Sequence, residues 1–412
     1  MYLETLGQNA KNAKYVIGLI NTDKKNEVLL KVADALENES TYLIEENKKD
    51  IDEGVKNNMH AGLLDRLMIN EERIKGISEG IRQVAALEDP VGRILNVKTR
   101  PNGMEITKIS VPLGVVGIIY ESRPNVTADA FSLTFKSGNV VILKGGSDAI
   151  NTNKAITKVI RDVLVKEDIN PDAIQLIEKT DRETTSAFMK MSDYIDVLIP
   201  RGGAGLKKAV VANSTIPVIV TGDGNCHVYV DKDADVDMAI NIIYNAKTQR
   251  IGVCNACESL VVHRDIRDKF LKKLKERLDE KNVEIRGDEA TREFIDCTAA
   301  TEEDFGKEYL DYILSVKTVD SVEEAIAHIN KYNTGHSDCI VTNNNETADK
   351  FLKGVDAACV YHNVSTRFTD GFEFGLGAEI GISTQMLHAR GPMGLEELTS
   401  YKYTITGNGQ VR

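Results

Sequence analysis

The sequence predicts an α/β protein of two doubly wound lobes, each built on a parallel sheet, with a cleft between the lobes and a small additional β ribbon. Short apolar segments without polar alternation recur along most of the 412-residue chain, and amphipathic helical segments separate them. Strands of that kind are typical of parallel sheets that helices cover on both faces. The chain also exceeds the length that one hydrophobic core usually supports, so two or three domains are expected.

Composition narrows the class of protein. The chain has 51 basic and 63 acidic residues and a net charge of −12, which argues against a general affinity for nucleic acid or anionic membranes. Residues 1–14 lack the apolar core of a secretory signal, and no apolar run reaches the ~20 residues of a membrane-spanning helix. Six cysteines spread over so long a chain do not resemble a disulfide framework. We therefore expect a soluble, cytoplasmic protein.

The first ninety residues predict surface helices that cover a sheet, because apolar positions such as Val28, Leu29, Val32 and Leu36 recur at helical spacing. Two strand-like segments follow and are joined by proline, asparagine and glycine, which favours a hairpin. These segments are Ile94–Arg100 and Met104–Ser110. The tail from Tyr401 to Gln410 is expected to add an edge strand.

Two series of strands and helices follow the hairpin. The first series has predicted strands at Val115–Tyr120, Val140–Lys144, Ile174–Glu178, Val197–Pro200 and Val218–Thr221. The second begins near Asp231 and has predicted strands at Ser259–His263, Cys339–Thr342 and Cys359–Tyr361. Ligands on such sheets bind beyond the carboxyl ends of the strands.

A loop that contains two cysteines, Gln249–Leu260, lies between a predicted helix and a predicted strand. Neighbouring backbone amides in such a loop can lower the pKa of a thiolate and donate to an oxyanion. Zinc is disfavoured for Cys254 and Cys257 because no second pair of ligands stands at finger spacing. For Cys226, Cys297, Cys339 and Cys359 we expect ordinary burial.

Several segments in order resemble the aldehyde dehydrogenase superfamily. QRIGVCNA, at residues 249–256, resembles its nucleophile loop, and Val111–Asn125 resembles its first strand–helix unit. The resemblance implies Cys254 as the nucleophile and Asn125 as a side-chain donor to the oxyanion. An N-cap or turn role for Asn125 is an alternative that is compatible with that function.

The same resemblance implies a bound nicotinamide cofactor. Lys144 matches the lysine that contacts the adenosine ribose, and Ser147 stands where NAD-preferring members carry a glutamate, so NADP(H) is favoured. Gly202 and Gly203, in a loop that opens a helix, are expected to approach the pyrophosphate, although a structural turn is an alternative. Glu308 matches the glutamate that binds the nicotinamide ribose, and a solvated carboxylate is the alternative reading.

The general base of hydrolytic members is missing, since Val220 stands at the corresponding spacing. The segments Val319–Ile340, Thr366–Thr384 and His388–Tyr403 are similar to the branch that reduces an acyl phosphate in proline biosynthesis. Asn333 and Phe305 depart from the pattern of that branch. The resemblance implies NADPH-dependent reduction of L-glutamyl 5-phosphate to L-glutamate 5-semialdehyde and phosphate.

Substrate-binding candidates cluster in the C-terminal third. Arg367 is a candidate for the substrate's α-carboxylate, with Ser365 and Thr366 beside it, because a guanidinium can grip a carboxylate with two bonds; a surface arginine is the alternative. His336, Ser337 and Asp338 do not predict a hydrolytic triad, because adjacent residues of an extended segment point to opposite faces. We expect them to structure a loop near the substrate, with a contact from His336 to phosphate as a hypothesis.

The predicted domains are an NADP(H)-binding domain at residues 1–93 and 111–230, to which residues near 365–400 return, and a catalytic domain at 231–364. Residues 94–110 and 401–412 form the predicted oligomerisation ribbon, so a homo-oligomer is expected by resemblance. A functional association with a glutamate 5-kinase is also expected. Two alternatives remain: a CoA-acylating aldehyde dehydrogenase, which also lacks the base, and a non-catalytic relative of the fold.

Overall fold

The structure is a computed structural model that describes residues 2–121 and 123–412. Met1 and Ser122, which fall within the ranges predicted above, lie outside the described residues. The chain divides into two compact units. The first comprises Met1–Val220, Gly375–Gly381 and Met393–Arg412, and the second comprises Thr221–Phe374 and Ile382–Pro392.

A parallel sheet of four strands forms the centre of the first unit. In spatial order the strands are Ile174–Leu176, Val140–Gly145, Val115–Tyr120 and Val197–Arg201. Every residue of these strands is buried except the last, Arg201, which is partly exposed. Burial over the whole strand explains why these segments are continuously apolar and confirms the prediction of a parallel sheet covered by helices.

Helices surround this sheet, and the first five precede all its strands. They span Tyr2–Ile17, Thr22–Asn38, Ser40–Lys56, Ala61–Leu67, Glu71–Ala86, Asn125–Lys136, Ile150–Lys166, Arg182–Phe188 and Ala204–Asn213. Val28, Leu29, Val32 and Leu36 are all buried on one face of the second helix, as their spacing predicts. Asn21 caps the amino end of that helix, since its side chain accepts from the Lys24 amide at 2.9 Å.

The predicted ribbon is a three-stranded antiparallel sheet of the first unit. Its strands are Ile94–Thr99, Glu105–Pro112 and Thr399–Thr406, with the central strand pairing to both others. Gly103 closes the hairpin with a φ of +82°, and its amide donates to the Arg100 carbonyl at 2.9 Å. The hairpin and the additional C-terminal strand are therefore confirmed.

A parallel sheet of seven strands forms the centre of the second unit. In spatial order the strands are Thr298–Ala299, Glu284–Gly287, Ile313–Val319, Cys257–His263, Cys226–Val230, Ser337–Val341 and Cys359–His362. Val228 and Val230 pack in one hydrophobic cluster, whereas Tyr229 packs in another. Alternate residues of the strand thus face two separate cores, which is the arrangement of a doubly wound sheet.

The helices of the second unit span Val236–Thr248, Arg267–Asp279, Glu289–Arg292, Val322–Tyr332 and Asn345–Gly354. A short antiparallel pair, Ile382–Ser383 with Gly391–Pro392, completes this unit. Across the described part of the chain, no helix is long and apolar enough to cross a membrane.

The structure corrects three expectations about the elements. The predicted strand Val218–Thr221 forms only single bridges. After the Ile219 amide donates to the Leu198 carbonyl, the next donor in this register would be Pro200, which has no amide. The predicted boundary at 230 is too late, since Cys226–Val230 is a strand of the second unit's sheet. Of the predicted returning segment near 365–400, only Gly375–Gly381 and the residues from Met393 belong to the first unit.

Candidate active site

Cys254 lies on the loop Gln249–Ala256, which we call the nucleophile loop. The loop follows the helix Val236–Thr248 and precedes the strand Cys257–His263, as the sequence predicts. Asp235 caps the amino end of the helix by accepting from the Met238 amide at 2.8 Å. Cys254 is partly exposed, in contrast to the buried Cys226 and Cys257.

Two residues at the start of the strand Cys226–Val230 and just before it, Cys226 and Gly224, pack against the carbonyl of Cys254. The Cys226 thiol donates to this carbonyl at 3.2 Å, and burial raises the pKa of that thiol, so Cys226 remains a donor. A Cβ atom at Gly224 would overlap the same carbonyl. Only glycine allows the two main chains to approach this closely.

Glu308 contacts the other side of Gly224. Its partly buried carboxylate accepts from the Gly224 amide at 2.7 Å. This hydrogen bond shows that Glu308 is not merely a solvated carboxylate. Because Gly224 packs against the Cys254 carbonyl, only one residue, Gly224, separates Glu308 from the nucleophile loop.

The segment Ser365–Thr369 fastens the nucleophile loop from another direction. The buried Asn255 amide donates to the carbonyls of Arg367 at 3.2 Å and Thr369 at 2.9 Å. Arg367 returns a hydrogen bond from Nη1 to Asn255 Oδ1, and its Nε donates to Gln249 Oε1 at 3.0 Å. The Thr366 hydroxyl donates to the Asn255 carbonyl at 2.8 Å. Arg367 is therefore a fixed part of this site, which excludes its reading as a free surface arginine.

A cavity of about 540 Å³ opens beside this network, within the second unit. Two rows of side chains face it, one from the helix Val236–Thr248 and its end and one from an extended segment. The polar lining residues are Asn241, Asn245 and Gln249, at helical spacing, and Asn363, Ser365, Arg367 and Glu373, whereas Ile242, Val364 and Phe368 supply apolar lining. Ser365 joins the rows by donating to Asn245 Oδ1 at 2.7 Å. Thr366 faces the nucleophile loop instead and does not line the cavity.

His336 is fully buried. Its Nδ1 is 2.8 Å from the Ser337 hydroxyl and 3.8 Å from the Cys226 sulfur. Burial of the whole side chain does not favour the hypothesised contact with a substrate phosphate. Ser337 and Asp338 are also buried and begin the strand Ser337–Val341. The Ser337 hydroxyl lies 2.6 Å from the Thr369 hydroxyl, so it contacts the segment that fastens the nucleophile loop.

The predicted cofactor residues Lys144 and Ser147 lie at the carboxyl end of a strand of the first unit, where ligands of such sheets bind. Lys144 is 3% exposed, and burial lowers the pKa of its ammonium group. Its Nζ donates to the Gly145 carbonyl at 3.1 Å. Ser147 is exposed and begins a one-turn helix, so its hydroxyl is accessible to a ligand.

The glycine loop of the first unit is occupied by a carboxylate. The Gly203 amide donates to Glu121 Oε2 at 3.1 Å, and a Cβ atom at Gly202 would collide with that oxygen. A carboxylate here takes the donor that a pyrophosphate would need and repels its charge. In this structure Glu121 engages the Gly203 amide, and the pyrophosphate contact of Gly202 and Gly203 stays a prediction.

Asn125 is the first residue of the helix Asn125–Lys136 and follows the N-cap Pro124, so it is not the N-cap itself. Its exposed side chain donates from Nδ2 to Asp129 Oδ2 at 2.8 Å, one turn later. Burial raises the pKa of Asp129 to about 6. The contact orients the Asn125 amide and leaves its second N–H for another acceptor.

Sequence reasoning missed Cys226, Asn245, Gln249, Glu121 and Asp129. The helical spacing of Asn241, Asn245 and Gln249 is a signal that could have indicated a polar face next to the nucleophile loop. Cys226 and Glu121 act on residues far along the chain, and no local pattern indicates those contacts.

The remaining cysteines are consistent with structural roles. Cys226, Cys257, Cys339 and Cys359 are buried, as expected for three of them, whereas Cys297 is partly exposed, contrary to expectation. Within the described residues no group of three or more histidine, cysteine or acidic side chains could hold a metal ion.

Comparison with known proteins assigns the chain to a family. The aldehyde dehydrogenase family model matches residues 3–304 and 295–403. γ-Glutamyl phosphate reductase from Agathobacter rectalis is 58% identical over 100% of this chain and 99% of its own length, and the enzyme from Clostridium perfringens is 55% identical over 98% of each. The crystal structure of γ-glutamyl phosphate reductase from Thermotoga maritima superposes with a TM-score of 0.98 at 46% identity, covering 100% of this chain and 99% of that chain. The chain therefore belongs to the aldehyde dehydrogenase family and, within it, to the group of γ-glutamyl phosphate reductases.

Proposed function

We propose that this protein reduces L-glutamyl 5-phosphate to L-glutamate 5-semialdehyde and phosphate with NADPH, through a thioester at Cys254. The observation that carries the proposal is a partly exposed cysteine on a loop held from two directions, in a chain whose full-length relatives bear the name γ-glutamyl phosphate reductase. This reaction is the second step of proline synthesis from glutamate.

In the first step, the Cys254 thiolate attacks the acyl carbon of the substrate. The carbon–sulfur bond forms, the carbon–oxygen bond to phosphate breaks, and the departing phosphate takes one proton from solvent. The Cys254 amide and the Asn125 side chain are proposed to donate to the oxyanion of the tetrahedral intermediate. Val220 stands where hydrolytic members carry their general base, so water is not activated against the thioester.

In the second step, the thioester carbon is reduced and the carbon–sulfur bond breaks, which releases the aldehyde and restores the Cys254 thiolate. NADPH, when bound, supplies the hydride for this step. Two hydrogen bonds of the nucleophile loop, from the Cys226 thiol to the Cys254 carbonyl and from the Asn255 side chain to the Thr369 carbonyl, keep the acylated sulfur in one orientation during both steps.

Two residues of the first unit fit the adenosine end of NADP(H). The Lys144 ammonium group is proposed to bind the ribose, and the exposed Ser147 hydroxyl accommodates a 2′-phosphate without the repulsion that a glutamate would cause. In the second unit, Glu308 is proposed for the nicotinamide ribose, and its hydrogen bond to Gly224 orients the carboxylate. The family as a whole uses nicotinamide cofactors, and the preference for NADP(H) is part of the proposal.

Arg367 is proposed to bind the substrate's α-carboxylate. Two of its nitrogens are engaged by Gln249 and Asn255, which fixes the plane of the guanidinium group. Its Nη2 makes no hydrogen bond within residues 2–121 and 123–412 and is available to a carboxylate.

One assay tests the function, namely reduction of NADP⁺ by glutamate 5-semialdehyde with phosphate present. We expect turnover that requires phosphate, prefers NADP⁺ to NAD⁺ and is lost by at least about a thousandfold in Cys254→Ala. Cys297→Ala is the matched control, because Cys297 is also partly exposed but lies outside the site.

The same assay decides between the alternatives. Turnover that requires CoA instead of phosphate would indicate a CoA-acylating enzyme. Native-like turnover in Cys254→Ala would exclude the thioester mechanism, and no turnover in the native protein would favour a non-catalytic relative.

We also propose that the three-stranded sheet joins subunits in a homo-oligomer. Its described strands expose apolar side chains, among them Ile94, Val97, Tyr401 and Ile405 at 49–64% of their surface, and such a cluster on a sheet is typical of a protein contact. Light scattering of Ile405→Asp should then give a smaller mass than that of the native protein.

A functional association with a glutamate 5-kinase is also proposed, because that kinase makes the labile acyl phosphate that this protein is proposed to use.

A further inference from the structure

We propose that the cavity between the two polar rows binds the α-amino acid end of the substrate, and that Asn245 is a specificity-determining residue that binds the α-carboxylate together with Arg367. The inference rests on the proposed function for the identity of the substrate. It adds a residue that neither the sequence motifs nor the comparisons indicate.

The donors and acceptors of Asn245 carry the argument. Its Oδ1 accepts from the Ser365 hydroxyl at 2.7 Å, which fixes the orientation of the amide. Its Nδ2, on an exposed side chain that lines the cavity, makes no hydrogen bond within the described residues. A fixed amide with an unused N–H₂ group is a donor to an anionic ligand.

Ser365 has the opposite capacity. Its one hydroxyl proton is used on Asn245, and its oxygen also accepts from the Arg367 amide at 3.3 Å. It therefore has no proton left for a carboxylate, so Ser365 acts as a positioning residue for Asn245, whereas the sequence predicted it as a substrate-binding residue beside Arg367. Its remaining lone pair can only accept, for example from an ammonium group.

The charges of the cavity match a zwitterion. Arg367 supplies a cation, with Nη2 unused, and Glu373, which also lines the cavity, supplies a carboxylate. Asn245 and Gln249 add neutral donors to the cavity. A simple carboxylic acid would leave Glu373 unmatched, whereas an α-amino acid satisfies both signs.

The position of the cavity suits the chemistry. Gln249 both lines the cavity and begins the nucleophile loop, and Arg367 contacts Asn255, the neighbour of Cys254. Three carbon–carbon bonds separate the α-carbon of glutamyl phosphate from its reacting carbon. A substrate whose α-amino acid group binds in the cavity can therefore extend its three-bond side chain toward the nucleophile loop.

The test compares three aldehydes in the phosphate-dependent assay: glutamate 5-semialdehyde, 5-oxopentanoate, which lacks the amino group, and butanal, which lacks both charged groups. In Asn245→Asp the acceptor for Ser365 remains, but the N–H₂ group becomes a carboxylate oxygen. We expect KM for the two carboxylate substrates to rise by about 10- to 100-fold, the effect of one charge-assisted hydrogen bond. The kcat/KM for butanal should stay within about twofold.

The matched control is Asn345→Asp, the same substitution on an exposed residue of another helix in this unit. It should change none of these values.

An equal loss for all three aldehydes, or no loss for the carboxylates, would overturn the role of Asn245. Binding of L-glutamate to the Cys254→Ala protein, measured by calorimetry, separates this inference from the proposed function. Glutamate binding that Asn245→Asp weakens supports the subsite even if the native protein shows no turnover. Glutamate binding that Asn245→Asp leaves unchanged would refute it.

Discussion

The thiol of Cys226 donates a hydrogen bond to the main-chain carbonyl of Cys254 over 3.2 Å. One buried cysteine thus holds the peptide of another that is proposed as the nucleophile. Because the acylated sulfur must keep one orientation through two steps, this contact is expected to affect catalysis more than substrate binding.

Cys226→Ala should lower kcat by about three- to tenfold with little change in KM, since one hydrogen bond is worth about 1 kcal/mol. Cys226→Ser keeps a donor and should recover at least half of the native kcat. Alkylation of Cys254 by iodoacetamide provides a second readout, and its rate should change in the alanine variant only. Native kcat in Cys226→Ala would show that the contact is dispensable.

Gly224→Ala should be far more damaging, because the added Cβ atom would overlap the Cys254 carbonyl. The nucleophile loop must then shift, and we expect kcat/KM to fall by at least about a hundredfold, as for other small misplacements of reacting groups. The matched control is Gly205→Ala, because a Cβ atom at Gly205 meets nothing within 4 Å and alanine favours the helix there. Similar activity in the two variants would refute the close packing.

The fold was largely predictable because buried parallel strands are continuously apolar. The strands Val115–Tyr120 and Val140–Gly145 are buried at every position, and the pattern alone identifies them. The strand Ile313–Val319 was missed because Ser315 and Lys317 interrupt its apolar run. In the folded chain Lys317 pairs with Asp288 at 3.1 Å, and Ser315 bonds the Ser259 hydroxyl at 2.9 Å, so both polar groups are satisfied only by distant residues.

The candidate site was predictable only where its residues lie close together in the sequence. The nucleophile loop and Lys144 with Ser147 are local motifs. Glu121, which accepts from the amide of Gly203, is separated from it by three α-helices and three strands. Contacts of that kind depend on the fold and leave no periodic signal in the sequence.

Lys247 and Glu258 form an ion pair at 2.6 Å in which both side chains are completely buried. Lys247→Met should destabilise the protein by about 3–5 kcal/mol, because it leaves an unpaired buried carboxylate. The double variant Lys247→Met with Glu258→Leu should recover most of the loss, since no buried charge remains. Thermal unfolding of the three proteins measures this, and an equally low Tm for the single and double variants would contradict it.

Asp129 links stability to pH. Burial raises its pKa from 3.8 to about 6 in the folded chain, so folding favours the protonated form. The stability that this provides is fully present below pH 3.8 and is lost as the pH rises through about 6. Asp129→Asn keeps an acceptor for Asn125 and carries no charge, so its Tm should exceed the native Tm at pH 8 and equal it near pH 4.

The control is Asp172→Asn, at a partly exposed aspartate of the same unit that pairs with Arg161. This variant should not gain stability at pH 8. A Tm difference for Asp129→Asn that is the same at both pH values would mean that the Asp129 carboxyl group does not titrate in this range.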